Sequence, residues 1–286
     1  MYSGSFKLFT FAADMLDYIN WTVTPEIFDG LPVRWYGLLF ASGFLIGHYI
    51  ITKILVNEGK PEKDMDTLTI YMVVGTVIGA RLGHCLFYQP EYYLPNPLEI
   101  LKIWEGGLAS HGAAIGILTS LYLYSKAKPD QPYLWIVDRI VIVVALAGCL
   151  IRLGNLMNSE IYGKPTDLPW GFRFILADGP SALPRHPTQI YEAVWYLISF
   201  GILKWMYDKM KEKTPHGYLL GWFLIFIFGM RIFFEYFKEA QVESESLTMS
   251  LIGMNFGQLL SIPFTILGFW LMFRVHSQAK AIIQAK

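Results

Sequence analysis

The stretch VIVVALAGCL, residues 141–150, runs directly into IRLGNLMNSEIYG, residues 151–163. Its first part is apolar enough to lie in hydrocarbon, yet the segment finishes on Arg152, Asn155, Asn158 and Glu160. Removing such groups from water is costly unless they are partnered, and ionisable groups within membrane helices are functional by default. The question is which other parts of the chain supply partners at the same depth.

The composition fits a membrane setting. Of 286 residues, 54% are hydrophobic and 16% charged, against about 25% charged in an ordinary soluble domain. Lys plus Arg, 23, equals Asp plus Glu, 23. With no basic run interleaved with aromatics, nucleic acid is not expected as a partner. Cys85 and Cys149 lie in separate apolar runs without zinc-site spacing and are expected to be packing residues. Neither a metal nor another cofactor is expected.

The expected fold is all-α, a polytopic membrane helical bundle forming one domain over residues 1–286. About seven spans fall near 31–54, 66–88, 106–125, 133–155, 188–207, 216–236 and 250–273, each close to the roughly 20 residues that cross a hydrocarbon core. Connectors such as NEGKPEKD (57–64) and KAKPDQP (126–132) separate them. Residues 1–30 are expected to form an interfacial arm, with Phe6, Phe9, Phe11, Met15 and Ile19 on one face of an amphipathic helix. Residues 156–187 are expected to form a small cap outside the membrane, and 275–286 a cytoplasmic tail.

Loop charge predicts the orientation. Lys53, Lys60, Lys63, Lys126, Lys128, Lys204, Lys209, Lys211 and Lys213 share one set of alternate connections, whereas the other set holds Lys7, Lys102, Lys164 and Lys238. The lysine-rich side is expected to be cytoplasmic, with the N-terminus outside and the C-terminus inside. Arginine runs the other way: Arg34, Arg81, Arg152, Arg173, Arg185 and Arg231 fall in outer halves or outer loops. A planar guanidinium pairs bidentately with phosphate or carboxylate, which a lysine cannot do.

At about 1.5 Å per helical residue, six spans are expected to bring polar groups to one outer-leaflet layer. These are Arg34 and Tyr36, Arg81, His111, Arg152 with Asn155, the group His186, Gln189, Tyr191 and Glu192, and the pair Arg231 and Glu235. The inner halves are expected to be nearly free of such groups. An arginine-rich site in a bilayer suits an anionic lipid headgroup. Blander roles compete at each position: headgroup contacts for Arg34 and Arg173, a plain ion pair for Arg231 and Glu235, packing for His111, and helix capping for Asn155 and Asn158.

RWYGLLFASGF (34–44), GARLGHCLFY (79–88), GGLASHGAAIG (106–116), IRLGNLMNSEIYG (151–163), RHPTQIYEA (185–193) and GMRIFFEYF (229–237) resemble, in order, the motifs of bacterial prolipoprotein diacylglyceryl transferases. The resemblance implies transfer of the diacylglyceryl group of phosphatidylglycerol to the lipobox cysteine of a prolipoprotein signal peptide, with release of glycerol phosphate. It implies a multi-pass protein of the bacterial cytoplasmic membrane, with its site toward the outer leaflet and its cap periplasmic; a monomer is expected, although the sequence leaves the oligomeric state open. It assigns His111, Arg231 and Arg152 to catalysis. Arg152 and Asn155 would hold the headgroup, with Tyr36, Asn158, Glu160, Gly163 and Glu235 supporting the site. Arg81 is a further lipid-binding candidate from its depth, and His186, Gln189, Tyr191 and Glu192 are possible supports. The chain departs from the family pattern at Ile151, Leu156 and Ala113, where Gly, Phe and Gly are usual. An anionic phospholipid transporter or flippase is the alternative; such a protein should carry polar groups across the midplane and often a repeat, and neither is apparent.

Overall fold

A computed structural model of the chain describes residues 18–28, 30–31, 33–238 and 253–284. It is mostly helical. The long elements are α1 (Trp35–Asn57), α2 (Glu62–Phe87), α3 (Ser110–Ala127), α4 (Tyr133–Met157), α5 (Thr188–Met210), α6 (Tyr218–Phe237) and α7 (Phe256–Gln284). Proline sets several boundaries: Pro61, Pro132 and Pro187 immediately precede α2, α4 and α5, since proline suits a helix start but not its interior. α6 starts at Gly217, whose φ of 92° is open to glycine.

Five of these segments, α1, α2, α4, α6 and Phe256–Gln278 of α7, are long and apolar enough to cross a membrane. The expected spans at α3 and α5 form helices but fall outside that group. Both open on polar turns, Ser110 and His111 in one, Thr188, Gln189 and Glu192 in the other.

Helix α4 is the centre of the bundle, packed between α1 and α5. Ile136, Ile140, Ile142 and Ala145 are buried in it against Leu55 of α1, Leu203 of α5 and Leu219 of α6. Outward-facing side chains are also apolar, including Leu45, Ile70, Phe87, Trp205 and Phe269. Between helices in lipid, close packing must therefore replace the hydrophobic drive. The α2–α3 pair shows how: Gly75, Gly79 and Gly83 lie against Gly112 and Gly116. A Cβ on Gly112 would collide with the Gly79 carbonyl, and one on Gly79 with the Gly112 carbonyl.

The mostly helical chain adds one short strand pair in and near residues 156–187. β1 (Ile19–Trp21) and β2 (Phe172–Phe174) form a parallel pair with Ile19 opposite Phe172. Ile19 therefore belongs to a strand rather than to the expected amphipathic helix, and Phe6, Phe9, Phe11 and Met15 lie outside the described residues. The reason is a short period-two pattern: Phe172 and Phe174 are buried with Leu156, flanked by Trp21, Tyr162 and Ile190, while Arg173 between them is less covered. The Trp21 indole donates to the Leu156 carbonyl at 3.0 Å, pinning β1 to the end of α4.

The other end of the bundle corrects a second expectation, that the inner halves are nearly free of polar groups. Arg139, fully buried, bonds both oxygens of Glu58 at 3.0 and 3.1 Å and stacks on Trp135. Tyr207 donates to the same carboxylate at 2.7 Å. Asp138 accepts N–H bonds from Gly217 and Leu220 at 2.6 and 2.8 Å, capping the start of α6 from a neighbouring helix. These groups satisfy one another, which makes their burial tolerable.

Gly79→Leu is expected to separate α2 from α3 and lower the stability of the detergent-solubilised protein by at least about 1–3 kcal/mol, the usual cost of overpacking; thermal unfolding against the parent reads this out.

Candidate active site

The last turn of α4 presents Arg152 and Asn155, three residues apart and so on one face. Arg152 Nε lies 2.8 Å from Glu192 Oε2 on α5, and its Nη1 donates to Asn155 Oδ1 at 3.3 Å. Tyr196, one turn further along α5, lies within electrostatic reach of Arg152. Gly148 makes this possible, because a Cβ there would strike the Tyr196 ring. On the α1 side, the Tyr36 ring lies over Gly154 within the electrostatic reach of Arg152 and Glu160.

From Glu192 the contacts continue into α6. Glu192 Oε1 receives Lys238 Nζ at 2.8 Å, Lys238 Nζ also meets Glu235 Oε1 at 3.0 Å, and Arg231 Nε reaches Glu235 Oε1 at 3.2 Å. From α7, Asn255 Nδ2 bonds Glu235 Oε2 at 3.2 Å. The result is a chain of alternating charge, Arg152, Glu192, Lys238, Glu235 and Arg231, joining α4, α5 and α6. Three cations share two carboxylates, so the chain carries an excess positive charge. Arg231 has 33% of its side chain exposed, against 3–15% for the other members. It borders a recess between α5 and α6 lined by Glu192, Trp195, Tyr196, Ile227, Arg231 and Phe234.

The segment that follows α4 supports this chain. Glu160 accepts from Asn155 at 2.8 Å and from Asn158 at 3.2 Å, while Gln189 donates to the Glu160 carbonyl at 2.7 Å. Thr188 donates to the Ile161 carbonyl at 2.9 Å. Gly163 bonds His186 through its backbone, and a Cβ there would press on Phe237, His186 and Thr188. Its lack of a side chain thus lets the cap close on the ends of α5 and α6. His186 sits edge-on to Phe237 with Nδ1 3.2 Å from the Tyr191 hydroxyl, which also accepts from Trp170 at 2.9 Å. Burial holds the His186 pKa below its ordinary value, favouring neutral imidazole.

The structure therefore gathers Arg152, Asn155, Tyr36, Asn158, Glu160, Gln189, Glu192, Arg231 and Glu235 in one polar group, with Gly163, His186 and Tyr191 beside it. Arg81 and His111 are placed elsewhere. Arg81 is buried and spends its guanidinium on the carbonyls of Glu99, Ile100 and Gly106, with the Tyr93 ring stacked beside it, so it organises the α2–α3 connection. His111 is exposed on the first turn of α3, and no hydrogen bond or ion pair joins it to the described residues. Arg34 pairs with Glu26 at the surface and Arg173 stacks on Tyr18, both outside the cluster.

Three members escaped sequence reasoning. Lys238 is three residues beyond Glu235 and Tyr196 four beyond Glu192, spacings that place each on a helical face with its partner. Asn255 had no such signal, because its contact depends on how α7 packs.

An integral-membrane helical bundle with a partnered, arginine-rich polar site at one end is the class defined by this architecture. Within that class, the chain belongs to the prolipoprotein diacylglyceryl transferase family, whose sequence model matches residues 23–274. It is 47% identical over 270 residues to the phosphatidylglycerol–prolipoprotein diacylglyceryl transferase of Chloroherpeton thalassium, covering 93% of this chain and 98% of that protein. Proteins of the same name from Tolumonas auensis and Porphyromonas gingivalis are each 46% identical, over 254 residues (88% of this chain, 95% of the relative) and 267 residues (90% and 94%) respectively.

Replacing Lys238 by Met would leave two buried carboxylates sharing fewer cations. The expected loss is about 3–5 kcal/mol of stability, as for one-sided disruption of a buried ion pair, measured by denaturant titration in micelles. Adding Glu235→Gln should recover part of it.

Proposed function

We propose that this protein transfers the diacylglyceryl group of phosphatidylglycerol to the lipobox cysteine of a prolipoprotein, the first step of lipoprotein maturation. The reading is carried by Arg152 and Arg231, joined through one ion-pair chain beside a recess that opens between α5 and α6. Family membership and the names of the relatives support it.

In this reaction the cysteine sulfur attacks the sn-3 carbon of the lipid's glycerol. A thioether bond forms, the carbon–oxygen bond breaks, and its electron pair leaves on glycerol phosphate, while the thiol proton passes to a base. The leaving phosphate gains charge as the bond breaks, so donors held at that point lower the barrier. Arg152 is assigned to the headgroup and Arg231, the more accessible, to the leaving oxygen. Glu192, Glu235 and Lys238 fix these guanidinium groups in advance. A thiol with an ordinary pKa of about 8.5 needs help ionising near neutrality, and His111 is the candidate base although it stands exposed on α3, outside the ion-pair chain. Chain connectivity supports this, because the start of α3 lies at the same end of the bundle as the close of α4.

All seven long helices are assigned as spans of the cytoplasmic membrane, with the cap periplasmic and the C-terminus inside, and the protein is taken as a monomer. A lipid transporter is less well supported. Between the polar groups at the two ends, the central helix is lined by Ile140, Ile142 and Ala145, and the opposite end is closed by its own ion pairs.

Purified protein incubated with phosphatidylglycerol and a lipobox peptide should yield a diacylglyceryl mass increment on the cysteine; its absence with folded protein would refute the assignment. Arg152→Lys is expected to lower the transfer rate by about 100-fold or more, because a point charge cannot reproduce a positioned fork. For topology, an impermeant maleimide applied to intact spheroplasts should label Asp167→Cys and not Ala127→Cys; the reverse pattern would invert the orientation.

A further inference from the structure

Helix α6 changes character midway. Tyr218–Leu224 is α-helical, Ile225–Gly229 is a π-helical turn, and Met230–Phe234 is α-helical again. A π-turn holds one residue more than the α-turn it replaces, and such turns concentrate at functional sites. Absorbing one residue turns everything beyond it by about 100°.

The inner half of α6 has a fixed phase, because Asp138 grips Gly217 and Leu220 and Leu219 is fully buried. Measured from Leu219, an uninterrupted α-helix would aim Arg231 about 120° away and Glu235 about 160° away. With the extra residue absorbed, they come within about 20° and 60° of the Leu219 direction. There Arg231 meets Glu235, and Glu235 meets Lys238 and Asn255.

Opposite the π-turn stands Trp195 of α5. Its indole N–H donates to the Phe226 carbonyl at 2.8 Å, the same carbonyl toward which the Met230 N–H points. Its ring is edge-on to Phe226 with centroids 6.5 Å apart. We propose that Trp195 is a positioning residue: its bond to Phe226 holds the π-turn, and the π-turn holds Arg231 and Glu235 toward the ion-pair chain. Conversion of that turn to α-helix at unchanged chain length swings both residues away from it. The inference rests on the transferase reading for its catalytic meaning and on helix geometry alone for its structural content.

A cross-link that needs no lipid chemistry tests it. In a protein with Cys85→Ala and Cys149→Ala, Glu235→Cys and Asn255→Cys should join under mild oxidation. Trp195→Phe should slow that cross-link by roughly 2- to 10-fold, the population change carried by a single hydrogen bond, and lower the transfer rate with little change in KM when made in the parent enzyme. Deleting Gly229 removes the surplus residue, so α6 can run as continuous α-helix with Arg231 aimed as before. In that background Trp195→Phe should have no effect on cross-linking. The proposal is overturned if Trp195→Phe changes nothing in the full-length helix, or if it slows the cross-link equally in the shortened one. Should the shortened helix not fold, Trp195→His, which keeps a ring N–H donor, decides: faster cross-linking than Trp195→Phe supports the proposal, and no difference overturns it. Absence of transfer by the parent protein with these cross-links intact would refute the proposed function and leave the helix geometry standing.

Discussion

The contact between Arg152 and Glu192 is the constraint on which the polar end of this protein depends. Neither charge could be held at these depths alone, and each has a second obligation: Arg152 to Asn155, Glu192 to Lys238. Because α4 supplies the guanidinium and α5 the carboxylate, the pair sets the separation and rotation of the two helices. Lys238 then ties in the end of α6, and Glu235, with Asn255, reaches α7. Removing any one charge unbalances its neighbours, as expected of a buried network in which partial satisfaction is worse than none.

The two ends of α4 are built on the same principle for different purposes. At the Tyr133 end, Arg139 is fully buried and its guanidinium is consumed by Glu58 and the Trp135 ring, while Asp138 serves as a helix cap. At the Met157 end, Arg231 keeps a third of its side chain exposed, beside a recess. Saturation makes the first a brace. Incomplete saturation, with an excess of positive charge, is the feature on which the proposed anionic-lipid site rests. A rigid brace below and a π-turn between would let α6 deliver Arg231 with little angular freedom, which an electrostatic catalyst requires.

The cap and the family departures fit the same picture. Leu156, one of the departures from the family pattern, is buried beside Phe172 and Phe174, which supply aromatic rings around it. Ile151, next to Arg152 on α4, and Ala113 on α3 are both half-buried. All three are apolar side chains, so these departures change packing and leave the charge of the site as it is.

Composition, apolar run length and i, i+4 spacing were enough to mark a membrane bundle and to pick out Arg152, Asn155, Glu192, Arg231 and Glu235, because burying charge in an apolar run is a local signal with a local cost. The motifs were likewise legible as a family pattern. Tertiary structure decided which polar groups meet. Arg81 and His111 look equivalent to Arg152 along the chain, yet the glycine-lined contact of α2 with α3 draws Arg81 into a backbone loop and leaves His111 exposed. The β1–β2 pair joins strands some 150 positions apart, the Asp138 cap joins α4 to α6, and the π-turn of α6 is set by what its two halves must satisfy. Such features follow from long-range contacts whose energies no window of sequence contains.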